Sequence, residues 1–367
     1  MLIMAEKYYR LNPECFLVKG AKGGLIVNLY EGRAISIDEK FSDLLLACEH
    51  GKPVDVENEN LNKLIDMRWA DEYTSRVFID KIRVTNIFGK QHMWKPAPII
   101  NLAILQITGK CDKKCANCFS DRCPSCKRDT NSKCIDLNGW KKVIDRLAIY
   151  GTEVILLTGG NPILNPDYEE ILNYALSKKI NVFIHVPSAS ACKKVKNKYN
   201  VFFSAIDDEE ISQVGALLRA KNNIMRVFIS KEKATTSLPN DNRIIYIDDD
   251  LKIRKSNMFS RGIDPYRFVL KQMYNECFFG KICINPAGEI LPCLGASNTT
   301  GNILMDDYVE SIKHLLESYW YISTDDRDKD YKCRVCENRY VCRNLCAVAS
   351  VVDQCSYNVE EMKWNSQ

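Results

Sequence analysis

Cys111, Cys115 and Cys118 stand at CxxxCxxC spacing, just after the apolar run Ile99–Ile107. Three thiolates so placed can hold three irons of a 4Fe–4S cluster and leave the fourth iron open. An open iron can chelate a small molecule, whereas a cluster with four protein ligands carries electrons. Zinc is the other reading of such a spacing. The next apolar run, Val154–Leu157, is followed by Thr158, Gly159, Gly160, Asn161 and Pro162. Paired glycines at a strand end let backbone approach a ligand closely. A second cysteine set lies far along the chain. Cys277 is followed after ten residues by Gly288, and after four more by Cys293; Cys283 lies between. Cys333, Cys336, Cys342 and Cys346 then follow at intervals of two, five and three residues, and Cys355 closes the set. Cys123, Cys126 and Cys134 sit behind the first trio; they read equally as a small metal or redox site and as surface-loop thiols.

The whole chain bounds these readings. It has 17 cysteines in 367 residues. A secreted disulfide scaffold would be shorter and usually even in count, so tight clusters here read as metal or iron–sulfur ligands. Hydrophobic residues make up 46% and charged residues 27%, which excludes a disordered chain. The net charge of +4 comes with no long basic run, so nucleic acid is not an expected partner. No run of 18 apolar residues and no cleavable N-terminal signal is present, and a cytoplasmic location is expected. His50, His92, His185 and His314 are scattered and join no serine or carboxylate motif, so a hydrolytic triad has no support.

Elements must hold these groups in place. Residues 1–92 read as a small α+β domain. Strands are expected at Cys15–Val18, Leu25–Tyr30 and Ala34–Ile37, then a helix capped by Asp38, a second around Leu61–Arg68, and a closing strand at Val77–Ile82. Lys95-Pro96-Ala97-Pro98 marks a boundary. From 97 to 255 strands and helices alternate. The strands are Ile99–Ile107, Val154–Leu157, Val182–Val186, Val201–Ile206, Ile224–Ile229 and Ile244–Ile247, with helices after Asp136 and Pro166. Six such β/α units imply an α/β fold with a parallel sheet curved into a partial (β/α)6 TIM-like barrel, with ligands at the C-terminal strand ends. Residues 256–367 are less periodic and cysteine-rich.

The trio after the first barrel strand, joined to the Gly159-Gly160 turn after the second, resembles the radical S-adenosylmethionine (radical SAM) superfamily. Cys277 through Cys355, with the Asn285–Cys293 hairpin and Gly301-Asn302-Ile303, is similar to the SPASM extension of such enzymes. The resemblance covers residues 99–360. It implies that Cys111, Cys115 and Cys118 hold a SAM-binding 4Fe–4S cluster, and that SAM is cleaved reductively to a 5′-deoxyadenosyl radical. Thr158, Gly159, Gly160, Asn161, Pro162, Phe119 and Ser204 are the implied SAM contacts. Asn161 stands where the superfamily usually has Glu, keeping an acceptor but losing the charge. Two auxiliary 4Fe–4S clusters are implied, Cys333, Cys336, Cys342 and Cys355 on the outer one and Cys277, Cys293 and Cys346 on the inner one. Cys283 is the candidate fourth inner ligand, the other reading being a small buried core residue. The activity implied is oxidoreductive maturation, a crosslink above all, of a ribosomally made peptide (RiPP biosynthesis). The implied partners are a precursor peptide with a leader and a reductant such as flavodoxin or ferredoxin, and no membrane span. The N-terminal domain resembles, more loosely, the winged-helix-like element that grips such leaders; a fold-completing cap is the other reading. The alternatives for the whole chain are a formylglycine-forming sulfatase maturase and a non-catalytic iron–sulfur or zinc scaffold.

Overall fold

The computed structural model describes residues 6–54, 58–82, 99–111, 134–186, 199–203, 209, 212, 213, 216, 224–230, 244–247, 263–275, 277–294, 296–321, 331–342 and 357–364. Two units interleave along the chain. One comprises Met1–Gln91, Lys252–Cys277 and Tyr321–Gln367, the other His92–Leu251 and Phe278–Trp320.

In the first unit, β1 (Tyr8–Leu11) precedes an antiparallel meander of β2 (Cys15–Lys19), β3 (Gly23–Asn28) and β4 (Arg33–Asp38). Asp38 turns the chain into α1 (Glu39–Glu49) by accepting the Phe41 N–H at 2.8 Å. Asn58 does the same for α2 (Glu59–Asp66), accepting from Asn60 and Leu61. β5 (Ala70–Tyr73) then pairs antiparallel with β1. The closing strand is therefore β5, not Val77–Ile82, which is irregular. The reason lies in its hydrogen bonds. Arg10 donates to the Val77 carbonyl from Nε (2.9 Å) and Nη2 (2.7 Å), and Lys81 reaches back to the Leu11 carbonyl at 2.8 Å, so side chains take groups that a strand ladder would use.

The meander is apolar on both faces because its residues alternate. Cys15 and Ile26 pack with Phe41, Leu45, Leu61 and Trp69 under the helices. Phe16, Val18, Leu25 and Val27 point the other way and pack on Phe268 and Val269, with Tyr340 and Val341 alongside. Phe16 and Phe268 meet edge to face at 5.3 Å, and Phe268 meets Tyr340 at 5.9 Å. The N-terminal sheet is thus one core with stretches from the cysteine-rich end of the chain.

The second unit is built on a nine-stranded mixed sheet. Six strands run parallel and neighbour one another in chain order: β6 (Leu102–Thr108), β7 (Val154–Gly159), β8 (Asn181–Val186), β9 (Tyr199–Phe203), β10 (Ile224–Ser230) and β11 (Ile244–Ile247). Parallel neighbours need a crossover. α3 (Leu137–Ile149), capped by Asp136, supplies it between β6 and β7, and buries Trp140, Val143, Ile144 and Leu147. α4 (Tyr168–Ser177) supplies it between β7 and β8; it begins two residues after Pro166, with Asp167 at its N-cap. Residues 204–206 of the expected fourth strand lie outside the described residues.

The short helix α5 (Pro265–Leu270) belongs to the first unit and supplies Phe268 and Val269. The nine-stranded sheet then gains β12 (Lys281–Ile284) parallel to β6, and β13 (Glu289–Leu291) and β14 (Gly301–Asn302) antiparallel beyond it. Ile282, Ile284, Ile290, Ile303, Ile312 and Leu315 are wholly buried, so apolar packing orders this part of the sequence. α6 (Tyr308–Leu315) runs on into a π turn, Leu316–Trp320. The hairpin of β15 (Tyr357–Asn358) and β16 (Lys363–Trp364) ends the described chain.

Candidate active site at the strand ends

The C-terminal ends of β6 and β7 meet at two glycines. Gly159 has φ +100°, a conformation that side chains disfavour, and a Cβ there would overlap the Thr108 carbonyl. A Cβ at Gly160 would overlap the Lys110 carbonyl and lie 2.9 Å from Cβ of Cys111. Only glycine lets the second strand end close on the residues leading to the first cysteine. Hydrogen bonds fix this closure. The Gly160 N–H donates to the Thr108 carbonyl at 3.1 Å and the Asn161 N–H to the Lys110 carbonyl at 2.7 Å. With these N–H groups committed, the turn can offer carbonyl acceptors to a ligand, the polarity an ammonium group needs.

Asn161 is buried, and its Oδ1 accepts from the Ile163 N–H at 3.3 Å, capping the turn Pro162–Leu164. Asn165 donates to the Ile107 carbonyl at 2.6 Å and so ties this turn to β6. Thr158 Oγ1 lies 3.3 Å from Nδ1 of His185 at the end of β8. Burial pushes the His185 pKa down to about 4, so the imidazole is neutral at pH 7. Gln106 and Thr108 are buried polar residues on β6. The strand ends therefore carry a polar rim of Gln106, Thr108, Thr158, Asn161 and His185 beside Cys111. Gln106 interrupts an apolar run and, with Thr108, signals in the sequence that this strand end is polar. His185 and Asn165 carry no motif, and only topology brings them to the rim.

Of the residues singled out in the sequence, Cys111, Thr158, Gly159, Gly160, Asn161 and Pro162 come together here. Cys115, Cys118, Phe119, Cys123, Cys126, Ser204, Cys346 and Cys355 lie outside the described residues. Cys134 is exposed, and the next residue, Ile135, donates its N–H to the Pro286 carbonyl in the β12–β13 turn. Cys283 is wholly buried in an apolar cluster with Leu291, Leu294 and Ala296, against which Cys293 also packs. The Cys277 N–H donates to Asn275 Oδ1 at 2.9 Å.

Cys333, Cys336 and Cys342 share one tight loop. The Cys336 N–H donates to the Cys333 carbonyl, and the Cys342 N–H to the Asn338 carbonyl. Burial pushes the Cys336 thiol up to about 12; Glu337, Cys342 and Cys333 add to the rise, while a hydrogen bond from the Asn338 backbone opposes it. A thiol this basic stays protonated at neutral pH unless a metal cation replaces the proton. Among the described residues, no three metal-type side chains are arranged as a closed metal site. The donor chemistry of this loop nonetheless fits a thiophilic metal or cluster.

No family model matches the sequence, and no curated protein matches it. Among solved structures, the chain overlaps Streptococcus suis SuiB bound to precursor peptide SuiA, at 13% identity, a TM-score of 0.41, and coverage of 93% of this chain and 96% of that one. SuiB bound to S-adenosylmethionine overlaps with the same coverage and TM-score at 14% identity. Native anSMEcpe with bound AdoMet and Cp18Cys peptide overlaps 66% of this chain and 87% of its own, at 14% identity and a TM-score of 0.40. Overlap this loose carries no functional inference. Among the described residues, no helix is long and apolar enough to cross a membrane.

Proposed function

We propose that this chain is a radical SAM enzyme that matures a ribosomally made peptide, with Cys111, Cys115 and Cys118 as the ligands of the SAM-binding cluster. The observation that carries the reading is the closure of Gly160 on Cys111, because it joins the first cysteine of the trio to a ligand-ready backbone turn. With SAM bound, the cluster would supply reductive cleavage to methionine and a radical that abstracts hydrogen.

The chain's own residues have separable tasks. The carbonyls of the Gly159–Gly160 turn accept from the ammonium of SAM. Asn161 holds the Pro162–Leu164 turn and so fixes the direction of those carbonyls. Thr158 and neutral His185 line the strand ends without adding charge. Phe119 and Ser204 are the proposed contacts to the nucleoside. The apolar strands beneath keep water from the reacting centre.

In the same proposal, residues 256–367 form a SPASM-type domain with two auxiliary clusters. Cys333, Cys336, Cys342 and Cys355 hold the outer one; Cys277, Cys283, Cys293 and Cys346 hold the inner one. Residues 97–255 form the barrel, and residues 1–92 receive the leader of the precursor peptide. β4 supports that role, since among the described residues it pairs only with β3 and leaves its outer edge for strand addition. A flavodoxin or ferredoxin supplies the electron. Protein purified without oxygen and reconstituted should be brown and carry roughly 12 irons in three four-iron clusters. It should release 5′-deoxyadenosine when reduced with SAM. A colourless protein holding zinc would overturn the reading.

A further inference from the structure

At the strand ends β6 carries one residue more than β7. Gln106 lies opposite Thr158 and Thr108 opposite Gly159, so Ile107 has no partner on β7. The ladder to β12 has already ended at Leu105. A bulge of this kind leaves the extra residue outside the ladder, and a buried carbonyl left there without a donor is costly. Ile107 is wholly buried, and Asn165 supplies the donor, giving Nδ2–H to the Ile107 carbonyl at 2.6 Å. The same side chain accepts the Asp167 N–H on Oδ1 at 2.8 Å, and the Asn165 carbonyl accepts the Tyr168 N–H at 3.2 Å. Asn165 is itself buried, at the junction of the Pro162–Leu164 turn, the start of α4 and the end of β6. The place needs a donor and an acceptor at once, which an amide provides and a carboxylate does not.

The extra residue decides where the first cysteine falls. Without it Ile107 would stand opposite Gly159, and Cys111 would lie one residue, about 3.3 Å, further along the strand. With it Thr108 takes that place. The Thr108 carbonyl then accepts the Gly160 N–H, the Lys110 carbonyl accepts the Asn161 N–H, and Cys111 is drawn against Gly160.

We propose that Asn165 is a positioning residue for SAM cleavage: by holding the Ile107 bulge it sets the register that joins Cys111 to the turn seating SAM. The inference rests on the radical SAM reading above. Asn165 acts through two stretches of backbone, β6 on to Cys111 and the Pro162–Leu164 turn back to Gly160. Losing its donor should shift the cysteine and the turn against each other while the cores of both units stay intact.

The test compares the reconstituted full-length protein with its Asn165→Asp, Asn165→Ala and Asn165→Gln variants. Aspartate keeps the size and the acceptor but, ionised, has no donor. Alanine removes the donor without adding charge, and glutamine keeps it on a longer arm. The readouts are iron content, thermal unfolding, the EPR spectrum of the reduced protein with and without SAM, and 5′-deoxyadenosine release against SAM concentration. In the folded variants without the donor, iron should be unchanged, the change that SAM causes in the EPR spectrum should weaken, and kcat/KM for SAM should fall by roughly 100-fold, as for a displacement of about 1 Å. Glutamine should recover part of both. A SAM response and rate that stay at the unsubstituted level would overturn the proposal. So would a fall that merely tracks lost iron or lost fold in both the aspartate and the alanine variants, which would make Asn165 a structural residue only. Absence of any 4Fe–4S signal and of 5′-deoxyadenosine from the unsubstituted protein would instead bring down the radical SAM reading itself.

Discussion

Substituting Gly160 by alanine probes the strand-end site with a single carbon atom. The added Cβ would overlap the Lys110 carbonyl oxygen, lie 2.6 Å from its carbon and 2.9 Å from Cβ of Cys111. Ordinary contact begins near 3.4 Å. The obstacles are mostly backbone, so no side-chain rotation relieves them, and the β7 turn must retreat from β6 by roughly an ångström. That retreat also strains the Asn161 N–H to Lys110 hydrogen bond, worth about 1 kcal/mol. Overpacking of this kind costs about 1–3 kcal/mol, which a chain with cores in both units should survive. Misplacing a reacting group by about 1 Å can cost roughly 100-fold in rate. Gly160→Ala should therefore stay folded by circular dichroism and lose about two orders of magnitude in 5′-deoxyadenosine release, followed by liquid chromatography under reducing conditions. A variant that cleaves SAM at the wild-type rate would refute the argument that this turn seats the cofactor.

Further outcomes concern stability. His185 is neutral when buried, with a pKa near 4 against an ordinary 6.5, so its contribution is complete above pH 6.5 and fades as the pH falls from 6.5 towards 4. The lowered value implies a loss of about 2 kcal/mol between pH 7 and pH 5; urea unfolding at the two pH values should show it, and His185→Gln should remove it. Phe16→Ala strips the aromatic contact that joins β2 to Phe268 and should destabilise the first unit by about 3–5 kcal/mol. Iron should be lost from the Cys333–Cys342 loop in the same variant, because that loop shares the core; full iron retention would show that the loop stands independently of the N-terminal sheet.

Where an element has both a cap and a period, the sequence was legible. Asp38 and Asp136 begin their helices as expected, and of the apolar face that the spacing marks, Trp140, Val143, Ile144 and Leu147 are buried and Ala148 is half-buried. The parallel strands were visible as short apolar runs, and six of them do neighbour one another in chain order. Val77–Ile82 reads as a strand because a β-branched, largely apolar stretch looks the same whether its carbonyls face a ladder or a clamp. Arg10 and Lys81, about 70 residues away from each other, decide the matter. The second face of the N-terminal sheet was readable only as a run of consecutive apolar residues on β3. Nothing local says that Phe268 and Tyr340 cover it. At the strand ends, the Gly-Gly turn announced itself, whereas the Thr158–His185 pair did not, since their meeting depends on the register of β7 and β8.

We propose that Cys111, Cys115 and Cys118 leave one iron of their cluster vacant for SAM. The direct measurement compares the reconstituted protein with a Cys111→Ala, Cys115→Ala, Cys118→Ala variant for iron content and SAM cleavage. The variant should keep about two thirds of its iron, in the auxiliary clusters, and release no 5′-deoxyadenosine. A variant that still cleaves SAM, or a wild-type protein whose trio holds zinc, would contradict it.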